Sequence, residues 1–102
     1  MIDNHVGCVN SAAEIIGNKW SAQIIRELAE GPKRYCEIER GVTGINPRIL
    51  SQRLETLETN GVIVEIYNAY ELTHKGYDLL PILKKMAEWG DKYPRDASWN
   101  VA

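Results

Sequence analysis

Residues 45–63 read INPRILSQRLETLETNGVI, and how this stretch is read decides the fold. Leu50, Leu54 and Leu57 recur at i, i+4 and i+7, so they form one apolar stripe on an α-helix. Asn46 stands where a side-chain oxygen caps a first turn. Pro47 takes the first helical position, where its missing N–H does no harm, and Asn60-Gly61 supplies the stop. Turning about 100° per residue from the leucines brings Arg48, Gln52 and Glu55 to the opposite face, with Ser51 and Thr56 at its margins. These residue types read DNA. Arg holds guanine O6 and N7, Gln holds adenine N6 and N7, and each such pair discriminates by about 1–3 kcal/mol. Ser51 and Arg53 suit phosphates. The plain alternative is the solvated face of an amphipathic helix, and the helix alone does not separate the two readings.

The segments on either side do. Upstream, NKWSAQIIRELAEGP (residues 18–32) places Trp20, Ile24, Ile25 and Leu28 on one stripe, with Asn18 as cap and Gly31-Pro32 as terminator. CVNSAAEIIG (residues 8–17) predicts a short first helix that begins just after Cys8. KRYCEIERGV (residues 33–42) reads as an extended entry into one or two helical turns, broken at Gly41. Downstream, GVIVEIYNAYELTHKG (residues 61–76) predicts two strands folded over Tyr67, Asn68 and Ala69, with Val62, Val64, Ile66, Tyr70 and Leu72 closing the core from one side. Thr73 then caps a last helix over about residues 74–93, bent near Leu80 by Pro81. Its apolar residues cover more than one stripe: Leu79, Ile82 and Met86 point differently from Leu80, Leu83 and Ala87. The second face is read as an interface. Helix, loop, helix and hairpin in this order make a winged helix-turn-helix, mainly α with a small β-hairpin.

Bulk properties bound the rest. At 102 residues, with 44% hydrophobic and 25% charged residues, the chain suits one domain over residues 1–102. A domain this small buries only about two thirds of its unfolded surface, which favours a partner chain. No run is apolar and long enough to span a bilayer and the start lacks signal-peptide character, so no membrane role and a cytoplasmic location are expected. A net charge of -2 argues against a general nucleic-acid coat, but residues 33–53 carry Lys33, Arg34, Arg40, Arg48 and Arg53 against Glu37 and Glu39, a balance of +3. Cys8 and Cys36 fit neither a disulfide framework nor a zinc ribbon, and His5 and His74 have no ligand spacing. Glu14, Glu37, Glu39 and Glu58 show no pairing for acid–base work, so no enzyme, metal or cofactor is expected.

The ordered set Cys8, Gly17, Lys19, Trp20, Ile24, Ile25, Leu28, GPKRYCEIE (residues 31–39), INPRILSQRLETLETNGVI, YELTHKGYDLLPIL (residues 70–83) and Trp89 resembles the HxlR family of winged-helix transcription regulators, relatives of the MarR group. The resemblance implies a homodimer built by the terminal helices. It implies a pseudo-palindromic double-stranded DNA operator and a small-molecule or oxidant effector. By position, Arg48, Ser51, Gln52 and Arg53 inherit the DNA-contact role; Pro47 and Glu55 of the same helix and the Lys33-Arg34 segment join them. Cys8, Leu79, Ile82, Leu83, Met86 and Trp89 are the expected dimer residues.

Two departures from the family pattern matter. Val64 and Glu65 lie where arginine is usual, and the turn is cut to YNAY (residues 67–70), so the hairpin is expected to keep its core role without touching DNA. Weak affinity and a short footprint follow, and a dimeric protein-interaction adaptor on the same scaffold is the alternative function. Cys8 has two readings. It is a redox sensor, as at this position in several members of the family and with a thiol activated by a helix N-terminus, or it is a small apolar interface residue. Val9 stands where the family often has proline, which weighs against the sensor. Cys36 reads as a core or boundary residue, and Trp20, Tyr35 and Trp89 as core. An effector pocket is expected in the cleft between the last helix and the second helix of the dimer.

Overall fold

In the computed structural model the described residues are 2–94, with side chains described over 7–94. His5 therefore lies outside the described side chains. The elements in order are α1 (Ile2–Ile16), α2 (Lys19–Leu28), β1 (Lys33–Arg34), α3 (Tyr35–Gly41), α4 (Pro47–Thr59), β2 (Ile63–Ile66), β3 (Ala69–Leu72), α5 (His74–Tyr77) and α6 (Leu80–Lys92). The three strands form an antiparallel sheet in the order β1-β3-β2.

The core is what the leucine and isoleucine stripes predict. Ile24, Ile25 and Leu28 of α2 meet Leu50, Leu54 and Leu57 of α4, with Ile38 of α3 and Val62, Ile63 and Leu72 of the hairpin region closing the cluster. The caps fall where expected. Asn18 Oδ1 accepts from the backbone N–H of Trp20 at 2.9 Å and of Ser21 at 3.1 Å. Asn46 Oδ1 accepts from that of Ile49 at 2.8 Å, and Thr73 Oγ1 from that of Gly76 at 3.2 Å. Each satisfies N–H groups that a helix start leaves without intrahelical partners.

Four expectations need correction. First, α1 starts at Ile2, so Cys8 lies inside the helix and not before it. An apolar stripe marks only the part of a helix that packs, and of the described α1 side chains only Ile15 is buried in the core. Second, the hairpin turns over two residues, Tyr67 and Asn68, and Ala69 already pairs with Ile66. Both turn residues have positive φ, 51° and 66°, the backbone of a type I′ turn whose twist matches the strands. Third, Val64 and Ile66 point to solvent; Ile63 and Leu72 pair on the inner face. Side chains alternate along a strand, so once Ile63 faces in, Val64 cannot. Fourth, the single helix expected over about residues 74–93, bent near Leu80, is at that bend fully divided into α5 and α6. The break at Asp78-Leu79 precedes Pro81, which has no N–H to continue the ladder. Gly76 sits in this region because a Cβ there would collide with the Val62 carbonyl.

Candidate nucleic-acid interface

Helix α4 is the second helix of a helix-turn-helix whose first is α3. The five-residue connection is anchored by Val42 and Ile45, both buried, and Gly44 supplies a positive φ of 87° in its bend. A side-chain contact ties the two helices together. Tyr35 Oη donates to the Pro47 carbonyl at 3.1 Å and lies 3.3 Å from Ser51 Oγ. A phenol carries one proton, so with that proton on Pro47 it is Ser51 that donates. The start of α3 is thus tied to the first turns of α4. Only the aromatic at position 35, next to a predicted helix start, hinted at it.

With its leucines buried, α4 turns Pro47, Arg48, Ser51, Gln52 and Glu55 to solvent, while Arg53 is half-buried on the flank away from Ser51. Arg48 and Arg53 make no salt bridge among the described residues. Arg34, the N-cap residue of α3, is exposed too, and its backbone N–H donates to Glu37 Oε1 at 2.8 Å.

Lys33, also expected on the DNA surface, is engaged within the chain. Its Nζ lies 2.6 Å from Glu27 Oε2 and 2.7 Å from Glu30 Oε1. Hydrogen bonds to Glu27 and then Glu30 raise its pKa above the ordinary lysine range, and the bond from Lys33 holds the Glu30 carboxyl below its own. Two carboxylates thus share this ammonium. Lys75, the first cation after the hairpin begins, is also engaged: its Nζ donates to the Asn60 carbonyl at 2.7 Å and closes the end of α4.

The terminal helices divide their expected interface residues. Leu79 and Leu83 are buried in the chain's own core, one turn apart and facing inward, so they are not surface residues. Ile82, Met86 and Trp89 form the outer stripe, 42%, 47% and 66% exposed. Trp89, expected in the core, is thus on the surface, tilted against Tyr93 at a ring separation of 5.2 Å. Trp20 and Tyr35 do pack against the core.

Cys36, expected at a core boundary, is exposed, and so is Cys8. The position of Cys8 within α1 removes the helix-terminus argument for an activated thiol. Cys8 does line a cleft of about 430 Å³ with Ser11, Ala12, Glu14, Ile15, Asn60, Lys75 and Leu79. This cleft lies between α1, the end of α4 and the start of the divided last helix. Among the described residues no group of three or more His, Cys, Asp and Glu is placed to hold a metal ion, and no helix is long and apolar enough to cross a membrane.

A short helix, a turn and a capped helix presenting Arg48 and Gln52, followed by a strand hairpin, define a winged helix-turn-helix DNA-binding protein. The family model described as HxlR-like helix-turn-helix matches residues 15–98. The chain belongs to this family and is a transcription regulator of the HxlR type. An uncharacterized HTH-type transcriptional regulator of Methanothermobacter thermautotrophicus is 36% identical over 98 residues, covering 89% of this chain and 75% of the relative. The solved structure of a putative HTH-type transcriptional regulator, ytcD, superposes with a TM-score of 0.79 at 36% identity, over 86% of this chain and 97% of that one. Quinone-bound YodB from Bacillus subtilis gives a TM-score of 0.76 at 34% identity, over 83% and 96%.

Proposed function

We propose that the chain forms one domain over residues 1–102 and acts in the cytoplasm as a homodimer. Each protomer lays α4 in the major groove of one operator half-site. The observation that carries this reading is the division of α4: Leu50, Leu54 and Leu57 are at most 2% exposed, while Arg48, Ser51, Gln52 and Glu55 all face solvent. Arg48 and Gln52 read base edges, and Ser51, Arg53 and Arg34 hold backbone, with Pro47 setting the first turn against it. The outer stripe Ile82, Met86 and Trp89 supports dimerisation, because a solvent-facing row of three large apolar side chains on one helix face is what a partner chain buries. Two-fold symmetry then spaces the α4 helices by about 34–36 Å, one turn of DNA.

The effector reading rests on Cys8. Its thiol is exposed and borders the cleft against Lys75 and Asn60, which itself touches the end of α4, so an oxidant or an electrophile such as a quinone has access to it. That YodB is solved with quinone bound supports this class of effector. The experiment is selection of bound duplexes from a random pool at about 50 and 200 mM salt, repeated with Arg48→Ala/Gln52→Ala and with Cys8→Ser. A two-fold symmetric motif that the double variant no longer selects supports the regulator. Cys8→Ser keeps resting affinity and loses the response to diamide or benzoquinone. Unchanged selection by the double variant overturns the α4 reading and leaves the interaction adaptor, which the engaged Lys33 and the uncharged hairpin tip favour.

A further inference from the structure

The space between α4 and the hairpin has a definite electrostatic sign. A cavity of about 300 Å³ there is lined by Tyr35, Ser51, Leu54, Glu55, Glu58 and Tyr70. Glu65 does not line the cavity but stands beside it on the hairpin, because its register partner is Tyr70 and paired residues share a sheet face. Lys33 continues the same row on the other side of Tyr70, but its charge is matched by Glu27 and Glu30. Among the described residues no lysine or arginine lines the cavity. The Tyr70 phenol reports the same field: burial first, then the carboxylates of Glu65 and Glu58 and the neighbouring Tyr35, push its pKa above the ordinary tyrosine value.

Geometry gives this field a consequence. If α4 lies in a major groove and the hairpin extends towards the adjacent minor groove, the phosphodiester strand dividing the two grooves must cross the space between them. We infer that Glu58 and Glu65 are negative determinants of DNA binding, which hold that strand out of the α4–hairpin groove and confine contact to the N-terminal half of α4. The inference rests on the α4 reading above and deepens it. Arg48 and Gln52 lie at the basic start of the helix; Glu55 and Glu58 make its far end acidic. A hairpin that had merely lost its arginines would be neutral towards phosphate, whereas this groove repels it. The engaged strand is therefore read at its centre, and flanking base pairs go unread.

The test uses the full chain with Glu58→Gln/Glu65→Gln. Both residues are exposed, and the amide keeps their shape while removing their charge. At about 50 mM salt this variant binds roughly threefold to tenfold tighter, on the operator and on unrelated duplex alike, as expected for two like charges removed near a phosphate strand. The slope of log K against log salt steepens by about one for each phosphate newly engaged, and hydroxyl-radical footprints extend outward from each half-site. Glu58→Asp/Glu65→Asp, which keeps the charge, binds like the parent. Unchanged affinity, slope and footprint in the Gln variant, with Arg48→Ala still weakening operator binding, overturn this inference alone. If Arg48→Ala/Gln52→Ala also has no effect, the α4 reading falls with it.

Discussion

Helix α4 and the hairpin are three residues apart and close on one core, yet they are specified in different ways. In α4 every local signal agrees: a capping Asn46, Pro47 at the first turn, leucines at helical spacing and a hydrogen-bonded end at Asn60. The hairpin has two non-glycine residues at positive φ in its turn, and two of its four β2 residues are apolar and exposed. The lesson is that α4 folds without its outer face, which leaves that face free for chemistry. The hairpin's shape comes from register and turn, and its side chains do not announce which way they point.

Stability should separate the two elements most. Leu54→Ala should cost about 2–5 kcal/mol in urea unfolding, because the lost contacts and the void both fall in the packed centre. Ile66→Ala, on the outer face of β2, should stay within about 0.5 kcal/mol. Equal losses would mean that the outer face of the hairpin is covered in the folded assembly.

On DNA the contrast should persist. Arg48→Ala should lower discrimination between operator and unrelated duplex by about 1–3 kcal/mol, while Val64→Ala leaves it unchanged. A titration in which Val64→Ala also loses discrimination would place the hairpin in the reading surface.

The turn offers a gain. Tyr67 is 94% exposed and holds φ at 51°, a region that costs an aromatic residue conformational energy. Tyr67→Asn/Asn68→Gly installs the pair favoured in type I′ turns and should stabilise the chain by about 1 kcal/mol, visible as a higher midpoint in thermal unfolding. DNA affinity should not change. A loss of affinity would show that the parent keeps Tyr67 strained for contact with DNA.

How much was legible follows the same division. The helix-turn-helix, its caps and its outward Arg48 and Gln52 were readable because period 3.6 states inside and outside unambiguously. For the hairpin, apolar identity misled: Val64 and Ile66 look like core, but Ile63 takes the inner face and alternation turns them out. The last helix shows an intermediate case, its two apolar stripes foreseen but Leu79 grouped with the outward residues and Leu83 counted among the dimer residues, though both are buried. Contacts that cross elements left no local trace. Tyr35 meets Pro47 twelve residues on, and Lys33 turns back to Glu27 on the preceding helix. Cys8 was misplaced because α1 extends well beyond its packed turn.

The neighbours Lys33 and Arg34 give the finest version of the contrast, one cation engaged and the next one open. Arg34→Ala should reduce the salt slope of DNA binding by about one, the loss of a single phosphate contact, and Lys33→Ala should leave that slope unaltered. Lys33 should show itself in stability instead. Its pKa is raised in the folded state, so its contribution is complete below the ordinary lysine value and disappears as pH rises through the raised folded value. Glu30, held low, behaves in the mirror sense: its contribution is complete above the ordinary glutamate value and is lost as pH falls through the depressed one. Lys33→Ala should therefore be less stable than the parent at neutral pH, and the two melting curves should converge on both the acid and the alkaline limbs. A deficit constant with pH, or a salt slope that falls with Lys33→Ala as it does with Arg34→Ala, would return Lys33 to the DNA-binding surface.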